Sequence, residues 1–268
     1  MTKWKGKYNL EPQEVPQVET AHRTIVTRLP VPESLPIIAS MAQYEPSCMG
    51  GQPQVVIDHA QDMYVYDSYG NKWLDWSSGV LITNVGNGHH QICEALIDVI
   101  GKPLLSTYVF YHEQRAKLSR ILCETVDCKD YQVILRTTGA ESVETAIKLA
   151  KQYSLMRHGR HKRYLISFVN AFHGRTMGAQ LAGGNQKAKA WIGNLDPTFI
   201  QVPFPDGYRN TNLSFSLFEQ TLAEHGITGE QVCGVLAESY QGVGPHFFPD
   251  SYITELSSWC THHDALLI

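Results

Sequence analysis

The sequence lacks several things, and each absence narrows what the chain does. No uninterrupted apolar stretch approaches the roughly 20 residues of a membrane-spanning helix. The opening MTKWKGKYNLEPQEVPQVET has no apolar h-region, so no secretory signal is expected and the expected location is cytoplasmic. There is little excess charge: 22 Lys+Arg against 26 Asp+Glu leave a net −4, which argues against a surface built mainly for phosphate backbones. The six cysteines (Cys48, Cys93, Cys123, Cys128, Cys233 and Cys260) form no Cys-x-x-Cys pair and are spaced like scattered core residues. Cys260-Thr-His262-His263 resembles a metal-ligand set only if helical periodicity is ignored, and His89/His90 and His158/His161 have no second ligand pair nearby, so no metal is expected. Neither Gly-x-Gly-x-x-Gly nor Gly-x-x-x-x-Gly-Lys-Ser/Thr occurs, which counts against a nucleotide-binding enzyme.

What is present reads as a globular chain of 268 residues, 43% hydrophobic and 18% charged, long enough for one large domain or two small ones. Residues 1–55 read as an irregular arm, with prolines at 12, 16, 30, 32, 36 and 46. Met63 to Trp76 is a hairpin candidate in which aromatic and β-branched residues flank Gly70-Asn71. From about residue 90 helices and strands alternate. Ile92, Ala95, Leu96, Val99 and Ile100 repeat at helical spacing, as do Leu118, Ile121 and Leu122. Val133-Ile-Leu135 predicts a short strand and Glu141–Met156 a helix, with further strands at Tyr164–Val169, Phe199–Val202 and Val232–Ala237. A helix from about Tyr252 to His262, with Asp250 as N-cap, leads into Ala265-Leu-Leu-Ile268. The expected fold is α/β, a mainly parallel sheet with helices on both faces. The expected division is an arm-and-hairpin segment over 1–89 and a large domain over 90–268. Because the chain stops inside an apparent buried strand, a truncated polypeptide is expected.

Three strand ends carry polar loops. Arg136-Thr-Thr-Gly-Ala-Glu-Ser142 places small residues and free first-turn N–H groups at a helix start, which suits a phosphate; a tight turn with an N-cap accounts for the same residues equally. Ser167-Phe-Val-Asn-Ala-Phe-His-Gly-Arg-Thr-Met-Gly178 brings an aromatic, a histidine and an arginine to the carboxyl end of a strand, where open α/β sheets bind ligands. An exposed arginine there is ordinarily just solvated, but beside Phe172 and His173 it also suits a flat ligand with a carboxylate. Ala237-Glu-Ser-Tyr-Gln-Gly-Val-Gly244 adds Glu238 and Gln241, whose partners are a ligand or a neighbouring cation.

Taken in order, these loops resemble the class III (ornithine/4-aminobutyrate type) aminotransferases that depend on pyridoxal phosphate. The resemblance runs from about Val31 to Ile268 and includes Asp67-Ser-Tyr-Gly-Asn-Lys-Trp-Leu-Asp-Trp-Ser-Ser-Gly79, Asn84-Val-Gly86, Thr138-Gly-Ala-Glu141, Ala146-Ile-Lys-Leu-Ala150, Phe172-His-Gly-Arg-Thr176, Glu238 and Gln241-Gly242. It implies the large domain of a fold type I transferase and pyridoxal 5'-phosphate as cofactor. By this resemblance Gly139 and Ala140 are backbone donors to its phosphate, with Thr138 beside them. Phe172 stacks on the ring, His173 shapes the loop, and Glu238 and Gln241 lie beside cofactor and substrate. Arg175 holds a substrate carboxylate, and Val80 and Tyr44 match substrate-facing positions. It also implies transfer of an amino group from an amino acid or ω-amino acid donor to a keto acid, in a homodimer.

Departures from the pattern matter too. Asn87 and His90 replace the first His and the Pro of the usual Gly-His-x-His-Pro, and Val243 stands where Gly-Glu-Gly-Gly has its glutamate. The aspartate that pairs with the pyridine nitrogen and the Schiff-base lysine both fall beyond Ile268 in the family pattern. No lysine here has a matching context: Lys148 and Lys151 follow the phosphate loop, and Lys187 and Lys189 lie in a polar connection. The chain as given is therefore expected to be inactive alone. A non-catalytic product that binds or regulates a full-length relative stays open as the alternative.

Overall fold

A computed structural model describes residues 9–46, 51–102, 108–126, 130–244 and 246–268. Of the cysteines discussed above, Cys48 and Cys128 lie outside the described residues; the other four are free thiols. The chain divides into two compact units, 1–116 and 117–268, whereas the sequence pattern changes at about residue 90.

The first unit holds β1 (Val18–Glu19), β2 (Thr24–Ile25), α1 (Leu35–Tyr44), β3 (His59–Gln61), β4 (Tyr64–Tyr66), β5 (Lys72–Leu74), the single turn α2 (Ser78–Leu81) and α3 (His90–Ile100). Its sheet runs β1-β2-β5-β4-β3. The hairpin forms as its sequence suggests, with Tyr64 opposite Leu74 and Tyr66 opposite Lys72. Its turn is built by Asp67, whose carboxylate accepts the N–H groups of Tyr69 and Asn71 at 2.9 Å, while the Asn71 Oδ1 accepts the Val26 N–H at 2.8 Å and ties β2 alongside. The arm is less irregular than its prolines suggest. Pro32 opens a 3-10 turn and Pro36 lies in the first turn of α1, where a missing N–H costs no helical bond.

Helix α4 (Glu113–Glu124) runs across the boundary between the units. In the second unit follow α5 (Gly139–His158), β6 (Tyr164–Phe168), α6 (Met177–Ala182), α7 (Gln186–Lys189), β7 (Phe199–Val202), α8 (Ser216–Glu224), β8 (Val232–Val235), β9 (Tyr240–Gln241), β10 (His246–Phe247), α9 (Asp250–His262) and β11 (Leu266–Leu267). The four-stranded sheet β11-β8-β6-β7 is parallel throughout. Alternate residues of its strands face opposite ways, and helices cover both faces, as expected. Ile166, Phe168, Val202 and Val235 pack with Phe218 and Leu222 of α8 and Tyr252, Leu256 and Trp259 of α9. On the other face Leu165 and Cys233 pack with Ile147 of α5 and Ala182 of α6.

Two expectations fail locally. Val133-Ile-Leu135 forms no strand: Ile134 and Leu135 are exposed and no described strand lies beside them, so the ladder partners that would define a strand are missing. Asp250 does not cap α9. Pro249, in extended backbone, takes that position and Asp250 becomes a first-turn residue, where its charge still suits the helix dipole.

Candidate cofactor and substrate site

Helix α5 runs antiparallel to the strand that follows it, which brings its N-terminus to the carboxyl end of β6. The helix start is a capping box. The Thr138 Oγ1 accepts the Glu141 N–H at 3.2 Å, and the Glu141 Oε2 accepts the N–H groups of Thr137 and Thr138 at 2.9 and 3.3 Å. The N–H groups of Gly139 and Ala140, at the first two helical positions, have no intrahelical acceptor and no other partner among the described residues. A Cβ at Gly139 would meet nothing within 4 Å, so the space beside this residue is open.

The loop after β6 lies against this turn. Gly174 has φ 125°, and a Cβ there would come 2.7 Å from the Ala140 Cβ, so only glycine permits the contact. Phe172, His173, Gly174 and Arg175 line a cavity of about 500 Å³ together with Asn185, Trp191 and Val243. The Phe172 side chain is largely exposed, and Arg175 is exposed with no hydrogen bond or ion pair among the described residues. His173 is buried, its Nε2 has no partner among the described residues, and burial pushes its pKa down to about 4, so the imidazole is neutral near pH 7.

The third loop closes on the second. Glu238 Oε2 accepts the Phe172 N–H at 3.1 Å and Oε1 accepts the Gly242 N–H at 3.3 Å. Burial raises the Glu238 pKa, and these two N–H bonds partly offset that. Gln241 is fully buried. Its Nε2 donates to the Val169 carbonyl at 2.9 Å, and its Oε1 is without a partner among the described residues.

Seven of the anticipated residues, Thr138, Gly139, Ala140, Phe172, His173, Glu238 and Gln241, thus meet through contacts within the second unit, and Arg175 shares the cavity. Tyr44 and Val80 belong to the first unit. Tyr44 is the exposed last residue of α1; Val80 is exposed in α2, at φ 62°, a left-handed conformation unusual for a β-branched residue. A larger cavity of about 670 Å³ lies in that unit, lined by Ile38, Met41, Val65, Trp73 and Leu74 among others, and neither Tyr44 nor Val80 lines it. It carries none of the convergent polar loops, so size alone is a poor guide to the chemistry here.

Sequence reasoning overlooked two residues. Lys189, expected in a polar connection, is buried, and its Nζ donates to the carbonyls of Leu181 and Gly183 and to Gln201 Oε1 at 2.8–2.9 Å. Burial lowers its pKa. Glu144 accepts three hydrogen bonds from the start of α6. A reverse-turning carbonyl pair around Lys189 leaves no local pattern; for Glu144 the Gly178 opposite it was the only available sign.

The parallel sheet with polar loops at its carboxyl edge is the fold of the fold type I transaminases. The chain belongs to the aminotransferase class-III family, which it matches over residues 48–268. It is 31% identical over 219 residues to an uncharacterised aminotransferase of Bacillus subtilis, covering 80% of this chain and 48% of that protein. It is 29% identical over 205 residues to the acetylornithine aminotransferase of Caldanaerobacter subterraneus, covering 76% of this chain and 48% of that one. Taurine:2-oxoglutarate aminotransferase from Bifidobacterium kashiwanohense, solved with pyridoxal phosphate and glutamate, aligns with a TM-score of 0.75 at 24% identity over 87% of this chain and 54% of its own. The chain spans about half the length of the curated relatives it matches.

Proposed function

We propose that the chain contributes the pyridoxal-phosphate-binding half of an aminotransferase that moves an amino group from an amino acid or ω-amino acid to a keto acid. The observation that carries this reading is the pair of unpartnered donors at Gly139 and Ala140, with the Gly174 contact setting an aromatic loop directly against them. These residues fit the cofactor. Two N–H groups at the positive end of a twenty-residue helix suit its phosphate, with the Thr138 hydroxyl beside them. The exposed Phe172 ring offers a face for the flat pyridine, and the buried unpartnered atoms His173 Nε2 and Gln241 Oε1 are polar groups that a bound ligand or water would satisfy. Bound there, pyridoxal phosphate supplies the electron sink for amino-group chemistry.

The chain's own residues then divide the work. Glu238 fixes the loop that carries Phe172 and holds the turn at Gly242. Arg175, with its fork of donors unengaged, takes a carboxylate of the amino donor or acceptor. Tyr44 and Val80 are proposed as substrate-facing positions, and the active species as a homodimer. Val243 stands where the family has a glutamate that in some members pairs with a second, substrate-gating arginine, so any such arginine would lack its resting partner here. Titration of the purified chain with pyridoxal phosphate, followed by visible circular dichroism, tests the reading. Saturable binding that inorganic phosphate competes away is expected, and its absence in folded protein would sink it.

A further inference from the structure

Glu144 lies on α5 one helical turn beyond Ala140, so the two residues share a face of the helix. At the first of these positions the backbone of Gly174 presses against Ala140. At the second, Glu144 Oε1 accepts the Thr176 hydroxyl at 2.7 Å and the N–H groups of Gly178 and Ala179 at 2.8 and 3.1 Å. Those two N–H groups are first-turn donors of α6, which no residue of its own sequence caps: Thr176 stands at the N-cap, but its hydroxyl is spent on Glu144. The carboxylate therefore caps α6 from a different helix. The space for it is made by Gly178, where any Cβ would overlap the carboxylate. At the other end of the same loop, Glu238 holds the Phe172 N–H.

From this geometry we propose that Glu144 is a positioning residue. It holds the Phe172–Ala179 loop in register with the Gly139–Ala140 turn while touching neither the phosphate donors nor the ring-facing side chain. The proposal deepens the functional reading above and rests on it for its consequence. A ligand that grips the helix start with its phosphate and the Phe172 face with its ring needs the spacing between them fixed, and α5 spans that spacing through its Ala140 and Glu144 contacts. Loss of either contact lets the loop drift along the helix while the sheet stays intact.

Hydrogen–deuterium exchange on the cofactor-free 268-residue chain reads the brace directly. In Glu144→Ala, exchange across residues 172–179 should accelerate, by about tenfold or more at Gly178 and Ala179, as expected for removal of a charged acceptor from two amides and a hydroxyl, while Leu165–Phe168 in β6 stays protected. Glu144→Gln, which keeps an amide oxygen in place, should fall between. Thr176→Val, which removes one donor of three, serves if Glu144→Ala does not fold. With pyridoxal phosphate added, Glu144→Ala should bind about tenfold more weakly and lose visible circular dichroism, a signature that a mere loss of stability would not move in folded protein. Unchanged loop exchange in a folded variant overturns the brace, and accelerated exchange with unaltered cofactor affinity and dichroism overturns the positioning role. Should the wild-type chain bind no cofactor, the functional reading fails, and the exchange data still decide whether Glu144 holds the loop.

Discussion

At His173 the physics has a definite sign. Burial depresses its pKa from the ordinary 6.5 to about 4, so the folded protein keeps it neutral while an unfolded chain would protonate it. Stability tied to this residue is complete above about pH 6.5 and is lost as the pH falls towards 4. At pH 5 the loss should be about 2 kcal/mol. Urea midpoints measured at pH 7 and pH 5 for wild type and His173→Gln check it: the wild type should lose more, and equal losses would mean the imidazole titrates normally. Two glycines offer a second test. Gly174→Ala must place a side chain at φ 125° against Ala140 and should cost about 1–3 kcal/mol. Gly139→Val meets open space and should change the unfolding free energy by less than about 0.5 kcal/mol, yet weaken pyridoxal phosphate binding by crowding the donors. If both variants behave alike in thermal melts and cofactor titrations, the two positions do not have the different roles assigned to them.

At the scale of elements, α5 depends on its first turn. Thr138→Ala removes one half of the capping box and should destabilise the second unit by about 1 kcal/mol, read from chemical denaturation, with Glu141→Ala producing a comparable loss because the box is reciprocal. A Thr138→Ala protein as stable as wild type would mean the turn is held by other contacts. The N-cap half of this box was legible in the sequence, since Thr-Gly-Ala stands ahead of a helical repeat, whereas the reciprocal Glu141 bonds appear only in the structure. So were β6, β7 and β8, as apolar runs bounded by polar loops, and the hairpin around Gly70-Asn71. The failures share a cause. Val133-Ile-Leu135 has strand composition, but a strand exists only where another chain segment supplies its ladder, and sequence pattern is blind to that. Lys189 reads as a solvated charge because the carbonyls of Leu181 and Gly183 that surround it are backbone atoms, invisible in residue types. Glu144 belongs to the helix periodicity as an ordinary polar position, and only the approach of α6 turns it into a cap. In the candidate site, the residues within one loop were readable, whereas the bonds between loops, such as Glu238 to Phe172, were not.

Across the whole molecule, the amines and the apolar surface set the outcome. Among the described residues, no lysine lines the cavity beside Phe172 and His173. Lys189 is saturated by three acceptors, Lys151 is engaged by Asp196 and Thr198, and Lys148 and Lys187 are exposed on helices. Borohydride reduction of the chain incubated with pyridoxal phosphate should therefore leave only scattered, substoichiometric labelling; peptide mapping that finds one lysine fully modified would contradict this. Apolar side chains also face outwards on α3, at Ile92, Leu96, Ile97 and Ile100, and on α5, at Leu149, Leu155 and Met156. Such faces bind hydrophobic dyes and promote association. Sedimentation at rising concentration should show self-association, and a strictly monomeric chain that binds no dye would argue that these faces are covered in solution. The contrast between Gly174 and Gly139 has one more consequence, for sequence drift. In a library selected only for folded, soluble protein, Gly174 should stay fixed while Gly139 fills with alanine and serine. Only selection on ligand binding should restore glycine there, so the substitution pattern at two neighbouring loops would tell a descendant that still works from one that merely folds.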